Sequence, residues 1–402
     1  MVASGLGSFG LGVAAFYLNF VYRALGFGEL AIGALAAAQA IGGVAGAWPA
    51  TRLARSYSRR AAILLGGVVT AAGIVGILAV DTLPLQLAAG ALLGGGGIVV
   101  YASGSALLAD ATATGDRPRR FGQQIAVGTV AAFLAAYVAG QLAVPVASAV
   151  GAPASSLAVV RVLVALGGIV AAASALPILL VRGVPVPRGT LAAPMRRGLL
   201  LRFGIVEAIF GFGAGSFLPF VNLFFADRFG MDFGTIGLAL EAIAVGGSLG
   251  ALLHGIHVAP RMGQLRAVVA VQLLSVPFAL IAGVAPAAVV VAGSLTIRAG
   301  LMYGSSSTYR AFTISSFSPA ERAGVTAILA IAWNATAAAG SVVSGAVRTA
   351  LGDAGWTANL ATLGAAYVVA AILTILLFGG HEPAGDAAMH ADLAAGPHSA
   401  AQ

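Results

Sequence analysis

The chain alternates long apolar tracts with short polar breaks, and the breaks carry most of its charge. Cutting at charge clusters and turn residues leaves twelve tracts, at about 6–26, 29–49, 61–80, 85–108, 123–147, 157–181, 202–226, 234–257, 267–285, 287–311, 325–348 and 356–379. Each is long enough for a helix to cross ~30 Å of hydrocarbon at ~1.5 Å per residue. The tracts are continuous and do not alternate at every second residue, so membrane-spanning helices are expected and a barrel is not. The main polar interruption near the midpoint, Val181 to Arg202, contains five arginines and three prolines. Proline stops a continuous helix and guanidinium groups avoid hydrocarbon, so this stretch reads as a surface linker. The expected fold class is an all-α polytopic membrane protein of twelve spans arranged as two pseudo-symmetric six-helix bundles. Its parts are an N-terminal bundle (1–181), a cytoplasmic linker (182–201), a C-terminal bundle (202–380) and a disordered cytoplasmic tail (381–402).

Composition excludes a soluble globule: 59% of the residues are hydrophobic and 8% charged, too little polar surface for a chain of 402 residues. The 56 glycines suit helices that pack backbone to backbone. With no cysteine, disulfides, thiolate nucleophiles and cysteine metal sites are ruled out.

The net charge of +8 comes from 21 basic residues, all arginine. Sixteen fall in the second, fourth, sixth, eighth and tenth loops: Arg52, Arg55, Arg59, Arg60, Arg117, Arg119, Arg120, the five of the linker, Arg261, Arg266, Arg310 and Arg322. The opposite side holds four, Arg23, Arg161, Arg228 and Arg348. The positive-inside rule then places both termini and the linker in the cytoplasm. This placement in short loops reports orientation, so nucleic acid is not an expected partner.

The halves repeat. An offset of 204 aligns Gly26 with Gly230, Ile32 with Ile236, Gly33 with Gly237, Ala40 with Ala244, Gly42 with Gly246, Gly43 with Gly247 and Gly46 with Gly250. An offset of 203 aligns Gly90 with Gly293, Leu92 with Leu295, Gly97 with Gly300, Ser103 with Ser306 and Arg119 with Arg322. Parallel repeats of this kind are related by an axis along the membrane normal.

The loop after span two reads Thr51-Arg52-Leu53-Ala54-Arg55-Ser56-Tyr57-Ser58-Arg59-Arg60. Together with the six-plus-six repeat and the cytoplasmic middle loop, it resembles the major facilitator superfamily, whose signature there is Gly-x-Leu-x-Asp-Arg-x-Gly-Arg-Arg. The leucine and the paired arginines match, whereas Arg55 replaces the aspartate and Ser58 the glycine. Pro260 to Arg266 and Ser318 to Gly324 are similar to the corresponding loops of the second half. Two marks of the proton-driven drug antiporters are missing, an arginine in span four (Leu92 to Gly97) and a Gly-Pro doublet in span five (Phe133 to Gly140). The resemblance covers nearly the whole chain and implies a monomeric secondary transporter in a bacterial cytoplasmic (inner) membrane, its cavity lined by spans one, four, seven and ten.

An ionised side chain at the bilayer centre costs at least ~2.5 kcal/mol, so those retained usually face a bundle interior or a wet cavity. Arg298 lies about eleven residues into span ten. Ser294, Arg298, Met302, Ser305 and Tyr309 form one helical stripe, which the resemblance aims at the substrate path. Arg298 reads either as an anion anchor, as the cationic partner of a proton-binding carboxylate, or as a structural tie to span seven or eight. Glu207 in span seven and Glu241 in span eight are the candidates for proton coupling. For Glu207 the alternative is a pairing with Arg202 or another linker arginine; for Glu241 it is a pairing with Arg298 or an external arginine. Substrate contacts are expected at Arg298, Asn222, Asn334, Tyr303 and Asn19. His254 and His257 are three apart without a carboxylate, so no metal site is expected.

The short loops contain no catalytic constellation, and Gly94 to Gly97 lie inside a span without the Lys-Ser/Thr of a nucleotide loop. An enzyme, ATP as energy source and any cofactor are therefore not expected. The sequence points to alternating-access transport of a small organic molecule, coupled to protons if Glu207 or Glu241 titrates, with drug or metabolite export favoured. Uptake of an organic anion and a non-transporting membrane scaffold are the alternatives.

Overall fold

A computed structural model describes residues 2–56, 58–112, 117–180, 196–318 and 321–379. Among them twelve helices are long and apolar enough to cross a membrane. They are Val2–Ala24, Glu29–Ser56, Arg59–Ala79, Leu83–Asp110, Arg117–Val150, Leu157–Ala173 with a following turn to Leu180, the composite span seven (Arg197–Phe229), the composite span eight (Phe233–Met262), Gln264–Val284, Ala288–Ser315, Arg322–Leu351 and Ala354–Phe378. The all-α, twelve-span reading holds. Helices two, five and eleven run several residues beyond the apolar tracts because capping and length are set by packing as well as by hydropathy.

The helix ends have local causes. The hydroxyl of Ser58 accepts the Ala61 N–H at 3.0 Å at the start of span three. Asp232 does the same for Thr235 at the start of span eight, at 3.0 Å. Gly26 and Gly230, matched by the sequence repeat, follow spans one and seven with φ of 81° and 60°. That left-handed conformation is one a glycine adopts without steric cost, so the repeated glycine is a repeated turn.

The same architecture appears twice. Span one packs on spans five and six, and span seven on spans eleven and twelve; spans two and three pack on four, and eight and nine on ten. Between the halves, span two packs on span eleven and span five on span eight, pairings that exchange under the repeat.

Three expectations meet the structure differently. The C-terminal bundle begins at Arg197, five residues before the expected 202, because the last arginines of the polar stretch already lie on the helix. Residues 181–195 of the linker, the tail beyond Gly379 and Tyr57 of the loop signature lie outside the described residues. Span seven is not one helix: Pro219 lies in a 3-10 turn, Leu218–Phe220, which offsets Asn222 from the axis of Arg197–Phe217.

Candidate functional site

Each span has a proximal end, on the side of the termini, and a distal end. At the distal end the halves meet along a seam that follows the repeat. The Asn19 amide donates to the Pro219 carbonyl at 2.7 Å and to the Asn222 side-chain oxygen at 2.9 Å. The Asn222 amide donates back to the Phe16 carbonyl at 2.7 Å. Phe16 and Pro219, like Asn19 and Asn222, are 203 positions apart, so the two donations are images of one another. An amide has both donor and acceptor, and can therefore pair with its own repeat mate.

A charge cannot do that, and the sequence changes accordingly. Arg23 and Asp227, 204 apart, form a two-pronged ion pair across the seam. Identical charges at these positions would repel; opposite ones close the axis. Around them Arg23 reaches Glu29 at 3.1 Å, while Arg348, only 3% exposed in its side chain, pairs with Glu29 and lies 3.6 Å from Asp227. The Arg348 guanidinium stacks 3.8 Å from the Trp356 ring centroid.

Beneath the charges, Phe233 of span eight inserts among Phe16, Tyr17 and Phe20 of span one, with centroids 4.7–6.3 Å apart. On the flanks the backbones nearly touch. A Cβ on Gly237 would stand 2.7 Å from the Ala136 carbonyl, and one on Gly140 2.5 Å from that of Phe233. The repeat-related contact places Gly33 against Ser341 and Gly345.

Among the described residues, proximal polar contacts stay within a half. Gln124 donates to Ser4 and Ser105 at 3.1 and 3.3 Å, and Arg60 to the Leu179 carbonyl at 3.1 Å. In the other half Arg202 reaches the Leu377 carbonyl at 3.3 Å, and Glu321 accepts the Arg196 backbone N–H at 2.9 Å and the Ser318 hydroxyl at 2.8 Å.

The expected site residues separate into two groups. Asn19 and Asn222 are in the seam, with their amides engaged by each other and by main chain. Asn334 is half-buried and donates to the Ala330 carbonyl one turn back at 2.8 Å. It lies seven residues from Ser341, hence on the same face, about 10 Å below the contact with span two. Glu241 follows Gly237 by four residues on the face toward span five, and its Oε2 is buried with no hydrogen-bond partner among the described residues. The alternative, an ion pair with Arg298 or an external arginine, is not formed among the described residues.

Arg298 is 4% exposed, and its stripe does not point between the halves as the resemblance implies. Ser305 on that stripe donates to the Val268 carbonyl of span nine at 3.4 Å, and Tyr309 packs on Phe203 and Phe210 of span seven. Arg298 itself donates to the Tyr367 hydroxyl of span twelve, with the guanidinium 5.2 Å from the Tyr367 ring centroid. Its tie is thus to span twelve rather than to seven or eight. The stripe faces the interior of the C-terminal bundle because the opposite face of span ten is taken by span eight, where Gly300 meets Gly246 and Gly250. Tyr303 is 56% exposed and lies over Gly247 of span eight. Glu207 is half-buried in span seven; Arg202, one alternative partner, reaches the Leu377 carbonyl instead, and the linker arginines before Arg196 lie outside the described residues. His254, in a single π-helical turn of span eight, shares a hydrogen bond with the Thr308 hydroxyl at 2.9 Å.

Sequence reasoning missed Arg23, Asp227, Glu29 and Arg348 as a functional group, having used the arginines only as topology markers. The signal was present: opposite charges at positions 204 apart, the offset of the glycine repeat.

No family model and no curated relative matches this sequence. Solved structures do. A point variant of the nucleoside transporter NupG aligns with 94% of this chain and 98% of its own at a TM-score of 0.75 and 17% identity. A D-xylose–proton symporter aligns with 92% of this chain and 95% of its own, at 0.71 and 16%. A bacterial homologue of the human lysosomal transporter Spinster, inward-facing and occupied, aligns with 93% of this chain and 94% of its own, at 0.63 and 16%. Twelve spans, the six-plus-six packing and these end-to-end likenesses agree: the chain has the fold of the major facilitator superfamily.

Proposed function

We propose that this protein is a secondary transporter, which moves a small organic molecule across the cytoplasmic membrane by alternating access between its two halves. The observation that carries this reading is the pseudo-symmetric seam. It joins the halves at the distal end through a few polar pairs and glycine contacts, while among the described residues the proximal polar contacts stay within each half. Such a seam can part without unfolding either bundle. The arginine distribution makes the proximal end cytoplasmic, so the conformation described is closed to the outside. Transport functions of the structural neighbours, which include carriers of nucleosides and of xylose with protons, support the same reading. Glu241, just proximal to the seam with an unpaired carboxylate oxygen, and Glu207 in span seven are the groups through which protons would couple.

The absence of cysteine makes the test direct. Cysteines replacing Asn19 and Asn222 are to be cross-linked in reconstituted vesicles, after a panel of labelled nucleosides, sugars and organic anions has supplied a transported solute. Cross-linking should stop transport and reduction should restore it. Transport that continues through a cross-linked seam would falsify alternating access at this seam. Transport insensitive to an imposed pH gradient, and unchanged in Glu207→Gln and Glu241→Gln, removes proton coupling alone.

A further inference from the structure

Four charged side chains meet at the distal seam, one of each sign from each half. Arg23 and Glu29 belong to the N-terminal half, Asp227 and Arg348 to the C-terminal half. Two pairs cross between the halves, Arg23 with Asp227 and Glu29 with Arg348. Two more stay within a half: Arg23 lies 3.1 Å from Glu29, and Arg348 lies 3.6 Å from Asp227. Each arginine offers the same nitrogen, Nη2, to an acid of its own half and to one of the other. Pairs that only crossed the seam would strand their charges when the halves separate, and a partly buried charge without a partner is costly. Here every charge has a second partner that travels with it.

From this double pairing we propose that the quartet exchanges partners as the distal seam opens. Arg23 passes from Asp227 to Glu29, and Arg348 from Glu29 to Asp227, so that each half leaves the seam with its charges balanced. The inference rests on the transporter reading, in which the halves part at this end. Local structure favours the exchange. Arg23 and Arg348 lie in the last turns of their helices and Glu29 in the first turn of its own, where the helix dipole supports each sign. The rings of Trp356 and Phe220, both of the C-terminal half, have their centroids 3.8 and 5.8 Å from the Arg348 guanidinium and keep it on the side of Asp227. A cavity of about 670 Å³ adjoins Glu29 and Arg348, walled by Leu30, Ala34 and Thr349, and gives the two side chains room to turn. The repeat mate of Glu29 is Phe233, so the exchange belongs to the flank of spans two and eleven, while the other flank closes through aromatic rings.

The test uses the full chain in vesicles, with a cysteine in place of Ser341, buried in the seam, as reporter and an external, membrane-impermeant maleimide as probe. In Arg23→Asp with Asp227→Arg, both cross-half pairs keep opposite charges, while both pairs within a half become like-charged. A seam held by its cross-half pairs alone would be labelled no more slowly than in the reporter protein. Exchange predicts labelling slower by roughly threefold to tenfold, because the pairs that form on opening now repel. Adding Glu29→Arg and Arg348→Glu reverses all four charges, restores every pair and should return the rate towards that of the reporter protein. Size-exclusion profiles keep misfolded variants out of the comparison. The first variant, changed at partly exposed positions, decides alone if the second does not assemble. An unchanged or faster rate in the first variant, or a slow rate that persists in the well-folded four-charge reversal, overturns the exchange and leaves the transporter reading standing. A reporter that is never labelled overturns both.

Discussion

At the distal end Asn19 bonds Asn222 and Arg23 bonds Asp227 across the two halves, whereas Arg298, inside the C-terminal half, has Tyr367 of the same half as its partner and no carboxylate among the described residues. Both regions contain charge, and taking it out of water costs free energy in each. The seam offsets it internally, through pairs that form when the halves meet. At Arg298 the interior of the C-terminal half meets it with a hydroxyl and a ring instead of a counter-charge. The difference separates contacts that must part if the halves move from contacts that stay within one half.

The largest way to break the contrast is to wedge the seam. In Gly237→Leu the new side chain meets the Ala136 carbonyl, and overpacking of this kind costs about 1–3 kcal/mol. Labelling of a reporter cysteine in place of buried Ser341 by an external thiol reagent should then accelerate roughly tenfold to a hundredfold. An unchanged rate would mean that the glycine contact does not hold the gate.

Next, Arg348→Gln leaves Glu29 and Asp227 without their buried partner and should lower stability by about 1.5–3 kcal/mol in thermal unfolding. Arg298→Gln is the sharper comparison. It strands no carboxylate, so stability should stay within about 1 kcal/mol of wild type or rise. Equal destabilisation by the two substitutions would erase the distinction between them.

Across the seam, a double-mutant cycle on Arg23→Ala and Asp227→Ala should give a coupling of about 0.5–1 kcal/mol, since both groups are partly exposed. The exchanged pair, Arg23→Asp with Asp227→Arg, should recover part of it. No coupling would make the ion pair incidental to closure.

The smallest effect belongs to the proximal end. The Ser318 hydroxyl, the Arg196 backbone N–H and the Ser318 N–H together hold Glu321 below the ordinary carboxylate value of 4.5. A depressed carboxylate contributes stability above its unfolded value, and that contribution is lost as pH falls through the lower folded value. Thermal stability of the wild type should therefore drop below about pH 4.5, while Glu321→Gln should show a flatter profile and a slightly lower Tm at pH 7. A parallel acid response in the two proteins would show that the linker end is held by something else.

Much of the fold is legible in the chain because hydrocarbon leaves the backbone few choices. Twelve apolar tracts, arginine placement and the glycine offset lead to the observed helices, and Gly26 with Gly230 even marks the paired turns. The candidate site is less legible. Arg298 is conspicuous at mid-span, but which way its stripe faces depends on Gly300 and Gly246 letting span eight occupy the other side. Asn19 and Asn222 look like substrate contacts when read singly, and only their separation of 203 positions links them.

By itself the sequence determined that this protein crosses the membrane in twelve helices, repeats once, and carries its positive charge toward one side. Those properties follow from local hydropathy and from a symmetry that persists in the residues. Tertiary structure alone decided which polar groups meet. A pairing across the pseudo-twofold axis, or its absence around Arg298, depends on helix rotation and crossing, and these arise from packing summed over the whole interface.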